Sequence, residues 1–177
     1  MTTDDQRQTL RYPGALRTMH WLVTVLVLLS WPLGIVIRFV RDDVKLDFYL
    51  LHESLGFMVV WLMLARICIR LTSSIPKSAA TGSMAIAAHL VHAGLYLMLI
   101  VMPVSGFLAT NAHGFPLVWF GIIPVWSPLG KTTDIAWLLS TLHQWSAWIL
   151  FSLLVLHMGG VLFHHLLRRD DTLCKIL

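Results

Sequence analysis

Four apolar runs, each long enough to cross a lipid bilayer, dominate this chain. They cover residues 16–39, 48–71, 84–109 and 135–167. A helix needs about 20 apolar residues to span the hydrocarbon core. No water is available there to bond backbone groups, so helices, which satisfy them internally, are the expected form. Only 12% of the 177 residues are charged and 57% are hydrophobic. That is too little polar surface for a soluble domain of this size. The expected fold class is therefore all-α, an integral membrane four-helix bundle, with one domain over 1–177.

Pro32 and Pro103 fall inside the runs and are expected to kink them without ending them. The connection 41–47 is short and polar. The connection 72–83 carries Ser73, Ser74, Pro76 and Gly82. The third, 111–134, is longer and holds Trp119, Phe120 and Trp126. It is predicted to form a partly structured cap at the lipid–water interface, where aromatic rings settle. The first run is too long for a signal-peptide core and has no clear small-residue cleavage site, so it is expected to stay as a span.

Basic residues set the orientation. Arg7, Arg11, Arg17, Arg66, Arg70, Lys77, Arg168, Arg169 and Lys175 fall on the side of the two termini. Arg38, Arg41, Lys45 and Lys131 fall on the other. Both termini are thus expected in the cytoplasm. Cys68 and Cys174 would share that reducing side as free thiols. They form no CxxCH pattern, which excludes covalent c-type haem. The net charge of +4 comes with no zinc-finger spacing and no aromatic–basic interleaving, so nucleic acid is not an expected partner. Membrane lipid is.

Nine histidines in so apolar a chain need an explanation, because an ionisable group inside a span is costly. His143 and His157 stand 14 residues apart on the fourth run. That is close to four turns, or roughly 21 Å of rise, so both rings leave one face at two depths. His20, near the start of the first run, shares the depth of His157. His52, near the start of the second, shares that of His143. Two such pairs suit two bis-histidine haem irons, for which imidazole is a common axial ligand. Small neighbours would make room for a flat ring: Gly56 after His52, Ala147 after His143 and Gly160 after His157.

The remaining histidines are candidates of a second order. His89 and His92 share a face and could bond a haem propionate, line a quinone pocket or act as spare ligands, against a plain interfacial role. His164 or His165 could face a quinone and relay protons, against a solvated helix end. His113 is expected in a loop, exposed. Arg17, Arg66 and Arg70 flank one haem level, and Arg38, Arg41, Lys45 and Lys131 the other. Each is a candidate propionate partner or a headgroup anchor. Glu53 could move protons or pair with Arg38 or Lys45.

These pieces together resemble the bacterial cytochrome b561 family. The matching segments are Met19-His20-Trp21-Leu22, Leu51-His52-Glu53-Ser54-Leu55-Gly56 and His89-Leu90-Val91-His92 followed by Leu95-Tyr96. Leu142-His143, His157, His164-His165 and Asp170-Asp171-Thr172-Leu173 complete the order. The resemblance implies a four-span protein of the bacterial inner membrane with two haem b groups, ligated by His20, His52, His143 and His157. It also implies quinone as a redox partner and suggests superoxide as an outer donor, which would make the chain an oxidoreductase of the superoxide:quinone type or an electron carrier. The donor would be a small anion, steered by the basic rim, or a protein. Two other readings stand beside this one. The chain could be the b-type subunit of a larger dehydrogenase or hydrogenase. It could also be a histidine-based metal-ion transporter, although intramembrane carboxylates other than Glu53 are lacking.

Overall fold

The computed structural model describes residues 11–76 and 81–177. Arg7 and Lys77, two of the charges used for orientation, lie outside the described residues. Four long helices form: α1 Gly14–Val36, α2 Asp42–Thr72, α3 Gly82–His113 and α4 Thr133–Leu162. Each is long and apolar enough to cross a membrane, α4 together with the turn that continues it to Arg168. Between α3 and α4 lies an antiparallel hairpin, β1 Val118–Trp119 with β2 Ile123–Pro124.

Local chemistry sets the helix ends. Asp42 and Asp43 occupy the first turn of α2 and Arg70 its last, each matching the helix dipole. This polar first turn starts α2 well before the apolar run at 48. At the other end of the pattern, α3 continues past 109 until Gly114 closes it. Gly114 has φ 93, and the N–H groups of Gly114 and Phe115 donate to the Asn111 and Thr110 carbonyls. A left-handed residue of this kind is the usual place for glycine. Pro32 and Pro103 both lie inside continuous helices.

The cap over 111–134 is partly structured, as the sequence suggests. Its hairpin turns through Phe120 and Gly121, both with positive φ. Ser54 of α2 pins it: Ser54 Oγ accepts the Phe120 N–H at 2.8 Å, and the Ser54 carbonyl accepts Trp119 Nε1 at 3.3 Å.

The core is an apolar layer at mid-bundle. It joins Val23 and Val27 of α1, Val59 and Met63 of α2, Leu95 and Leu99 of α3, and Leu150 of α4. Leu150 stands midway between His143 and His157, so the layer separates the two histidine depths. Leu28, Leu97 and Leu156 point outward, as in helices that are apolar all round and meet lipid. Packing between helices is uneven. α3 lies close on α4, α1 on α2, and α2 on α3, while the α1–α4 and α2–α4 backbones stay farther apart.

Ser54 holds the cap through a buried acceptor, so Ser54→Ala removes the bond to the Phe120 N–H at a cost of about 0.5–1.5 kcal/mol. Faster amide exchange at Phe120 and faster proteolysis within 113–134 are expected, with the four helices retained.

Candidate functional site

The two wide seams are where the histidines meet. His20 of α1 faces His157 of α4 with ring centroids 6.4 Å apart. His52 of α2 faces His143 of α4 at 6.1 Å. The first pair lies near both ends of the described chain, here the terminal level; the second is the far level. A metal–imidazole bond is about 2 Å, and the nitrogen lies roughly 1 Å from its ring centre. One iron between two in-line imidazoles thus sets their centroids about 6 Å apart. Both pairs have that separation.

The far level supports each ring in the same way. His52 Nδ1 lies 2.9 Å from the Ser30 carbonyl oxygen. Its Cε1 lies 2.9 Å from where a Cβ on Gly34 would be. His143 Nδ1 lies 2.7 Å from the Met102 carbonyl oxygen, and also 2.7 Å from the Cβ position of Gly106. In both niches the glycine follows the accepting carbonyl by one helical turn, with Pro32 or Pro103 between them. Glycine leaves the imidazole room to reach the carbonyl's second lone pair. A carbonyl only accepts, so Nδ1–H donates to it and Nε2 is left for a metal.

The terminal level is built differently. Among the described residues neither the His20 ring nor the His157 ring has a hydrogen-bond partner. His92 of α3 joins them, its ring 5.3 Å from that of His157. Arg66 donates from Nε to Tyr96 Oη at 3.0 Å and from Nη1 to the Leu16 carbonyl at 3.1 Å. Arg70 lies over the same Tyr96 ring. Arg17, one turn before His20, has a buried Nε with no partner among the described residues. A buried guanidinium N–H without an acceptor suits an anion such as a haem propionate.

A cavity of about 360 Å³ opens at the far level, bounded by His52, His143, Gly106, Arg38 and Glu53. Several expectations change here. Gly56 lines this cavity, but its Cβ position meets only Pro103 at 3.9 Å, and that of Gly160 meets nothing. The closely packed glycines are Gly34 and Gly106, which the sequence reading missed. Glu53 makes no ion pair among the described residues; Lys45 bonds Asp42 at 2.7 Å and Arg41 bonds Asp43 at 2.9 Å. These acids, two residues after Arg41 and three before Lys45, are nearer than Glu53, which sits a further two turns along α2. His113 is not in an exposed loop. It is the last residue of α3, half-buried, with Nε2 3.1 Å from Ser140 Oγ and its ring edge on Trp137. Gly114, a helix-closing glycine, was the available signal. Lys131 is exposed, its stem along Gly114. His89 is exposed and bonds the Ala85 carbonyl of its own helix. His165 is exposed, whereas His164 is half-buried beside Asp170.

A family model for prokaryotic cytochrome b561 matches residues 11–177. The chain is 30% identical to cytochrome b561 homolog 2 of Escherichia coli (strain K12), over 94% of this chain and 91% of that protein. It is 28% identical to a Yersinia pestis protein named probable superoxide oxidase CybB, over 90% and 91% of the two chains. It is also 28% identical to cytochrome b561 homolog 1 of Escherichia coli (strain K12), over 71% and 72%. The fold and these matches define a multi-pass bacterial membrane cytochrome of the b type. The chain belongs to the prokaryotic cytochrome b561 family. Its role is electron transfer, and the metal-ion transporter reading falls.

Haem b fits the histidine pairs by ring separation and the terminal level by its unpaired Arg17 nitrogen. In Gly34→Ala or Gly106→Ala the new methyl would displace an imidazole, so b-haem absorbance is expected to fall. Gly130→Ala, exposed and with nothing within 4 Å of its Cβ position, is expected to keep it. Haem spectra of the three purified variants check this.

Proposed function

We propose that this chain carries electrons across the bacterial inner membrane between an outer donor and membrane quinone, through two b haems. His20 and His157 would hold the haem at the terminal level, taken as the cytoplasmic side in keeping with the distribution of basic residues. His52 and His143 would hold the haem at the outer, far level. The observation that carries this reading is the pair of facing imidazole couples, 6.4 and 6.1 Å apart, in the two seams that backbone packing leaves open. Haem b bound this way supplies reversible one-electron chemistry with no open coordination position.

The chain's own groups would divide the remaining tasks. The Ser30 and Met102 carbonyls hold the outer ligands in one tautomer. Arg17 receives a propionate, and Arg66 contributes positive charge near the inner pair. The apolar layer around Leu150 keeps water from the space between levels. His164 and His92 are the quinone and proton candidates. His164 is the better supported, because a carboxylate orients it. The relative named probable superoxide oxidase supports superoxide as the outer donor. An anion would be drawn by Arg38 and Lys131, which have no ion-pair partner among the described residues. Arg41 and Lys45 are already matched by Asp43 and Asp42.

The ligand assignment is tested by haem content. His20→Ala and His157→Ala are expected to lose the same haem, and His52→Ala and His143→Ala the other. Any variant that loses both, or a different pairing by spectrum, contradicts it. Outer steering is tested separately. Reduction by superoxide is expected to slow as salt rises, and to lose part of that dependence in Arg38→Gln and Lys131→Gln but not in Arg41→Gln. Equal salt slopes in all three would contradict the steering role.

A further inference from the structure

The two rings of the far level stand on helices that do not pack closely on each other. His52 belongs to α2 and His143 to α4, and those two backbones stay apart. Something other than direct helix packing must set the gap between the rings. From one side α3 offers the Met102 carbonyl to His143. From the other, α1 holds both ligand helices at once through two neighbouring residues.

Towards α2, the Ser30 carbonyl oxygen lies 2.9 Å and its hydroxyl oxygen 3.4 Å from His52 Nδ1. Towards α4, Trp31 donates from Nε1 to the Ala147 carbonyl at 3.3 Å. Consecutive helical residues point about 100° apart, so Ser30 and Trp31 address different neighbours from one depth. Ala147 follows His143 by one turn, about 6 Å. The Trp31 ring also lies flat on Phe151, one turn further along α4, with centroids 4.9 Å apart and planes 12° from parallel. It meets the Trp148 ring edge-on at 6.1 Å. An indole N–H is a donor only and needs an acceptor inside a bilayer. A helix carbonyl has a second lone pair to give it, and stacked rings add their own attraction. Among the described residues this is the only hydrogen bond that joins α1 to α4, across a seam whose backbones are otherwise far apart.

We infer that Trp31 is a positioning residue for the far haem. It docks α1 on the turn of α4 that follows His143, while Ser30 holds His52, and together they fix the gap and the mutual angle of the two imidazoles. This rests on the reading given above, in which His52 and His143 hold a haem. Trp31 makes no ring contact with either histidine; it acts through the backbone of α4. Without it α1 keeps its hold on His52 and loses its hold on α4, so the two rings can shift against each other. Their planes stand at 85°, against 65° for the pair at the terminal level. The g values of a low-spin ferric haem follow that angle, which makes the shift measurable.

The test uses the purified full-length protein with haem bound, read by electron paramagnetic resonance of the oxidised form and by redox titration followed by absorbance. His52→Ala first identifies the far-level signal as the one it removes. Trp31→Leu, which deletes both the donor and the flat ring, is expected to keep both haems and to shift the far-level signal and midpoint potential, with the terminal-level signal unmoved. Loss of the far haem alone would be the same effect in stronger form. Trp31→Phe, which keeps a ring against Phe151, is expected to give a smaller shift. Phe151→Leu, which removes the stack from the α4 side, is expected to shift the same signal, and these two milder variants carry the test if Trp31→Leu does not assemble. A far-level signal unmoved in the Trp31 variants overturns the role of Trp31 and leaves the ligand pair standing. Equal shifts at both levels overturn it too, since they mark a general loosening of the bundle. If His52→Ala removes neither haem signal, the ligand reading falls, and the role of Trp31 with it.

Discussion

A polar group inside a bilayer has no water to fall back on, so each imidazole placed there must find its partner within the protein. The bundle is arranged around this constraint. At the far level the partners are visible as backbone: Ser30 and Met102 offer carbonyls, and Gly34 and Gly106 clear the approach to them. In the His52 niche the Ser30 hydroxyl adds a second, longer contact at 3.4 Å from the same ring nitrogen. A helix carbonyl already bonded within its own helix keeps a second lone pair, and a glycine one turn later exposes it.

The terminal level is built differently: its two facing rings have no hydrogen-bond partner among the described residues, and charged groups gather around them. Three imidazoles and three arginines collect there, and the arginines are satisfied by Tyr96, the Leu16 carbonyl and, in the case of the Arg17 Nε, by nothing the described protein supplies. On the proposed reading, the anionic edge of a haem would complete such a set. The apolar layer between the levels then has a simple role. It separates two polar sites by the thickness of a few buried side chains, and with haem at both levels it would leave electrons a short path while keeping out ions and water.

Much of this was legible in the amino-acid order. Helix-length apolar runs announce the four spans, and the spacing of His143 and His157 announces two depths on one face. What escaped was cross-helix register. Gly34 and Gly106 are ordinary membrane-helix glycines until the rings of His52 and His143 are seen against them. Gly56 and Gly160, nearer to histidines in sequence, have looser surroundings. Helix ends were also blurred, since hydropathy stops before the polar first turn of α2 and before the last turn of α3. That blur put His113 in a loop when Gly114 extends the helix through it. The Asp170–His164 pair depends on a π turn and one left-handed arginine, and no periodicity reveals either.

The central claim is that iron is held by two imidazoles at each of two depths. Quantitation of haem per chain, combined with electron paramagnetic resonance of the oxidised purified protein, tests it most directly. Two haems per chain with only low-spin ferric signals are expected. A single haem, or a high-spin ferric signal in the intact wild type, would contradict the account.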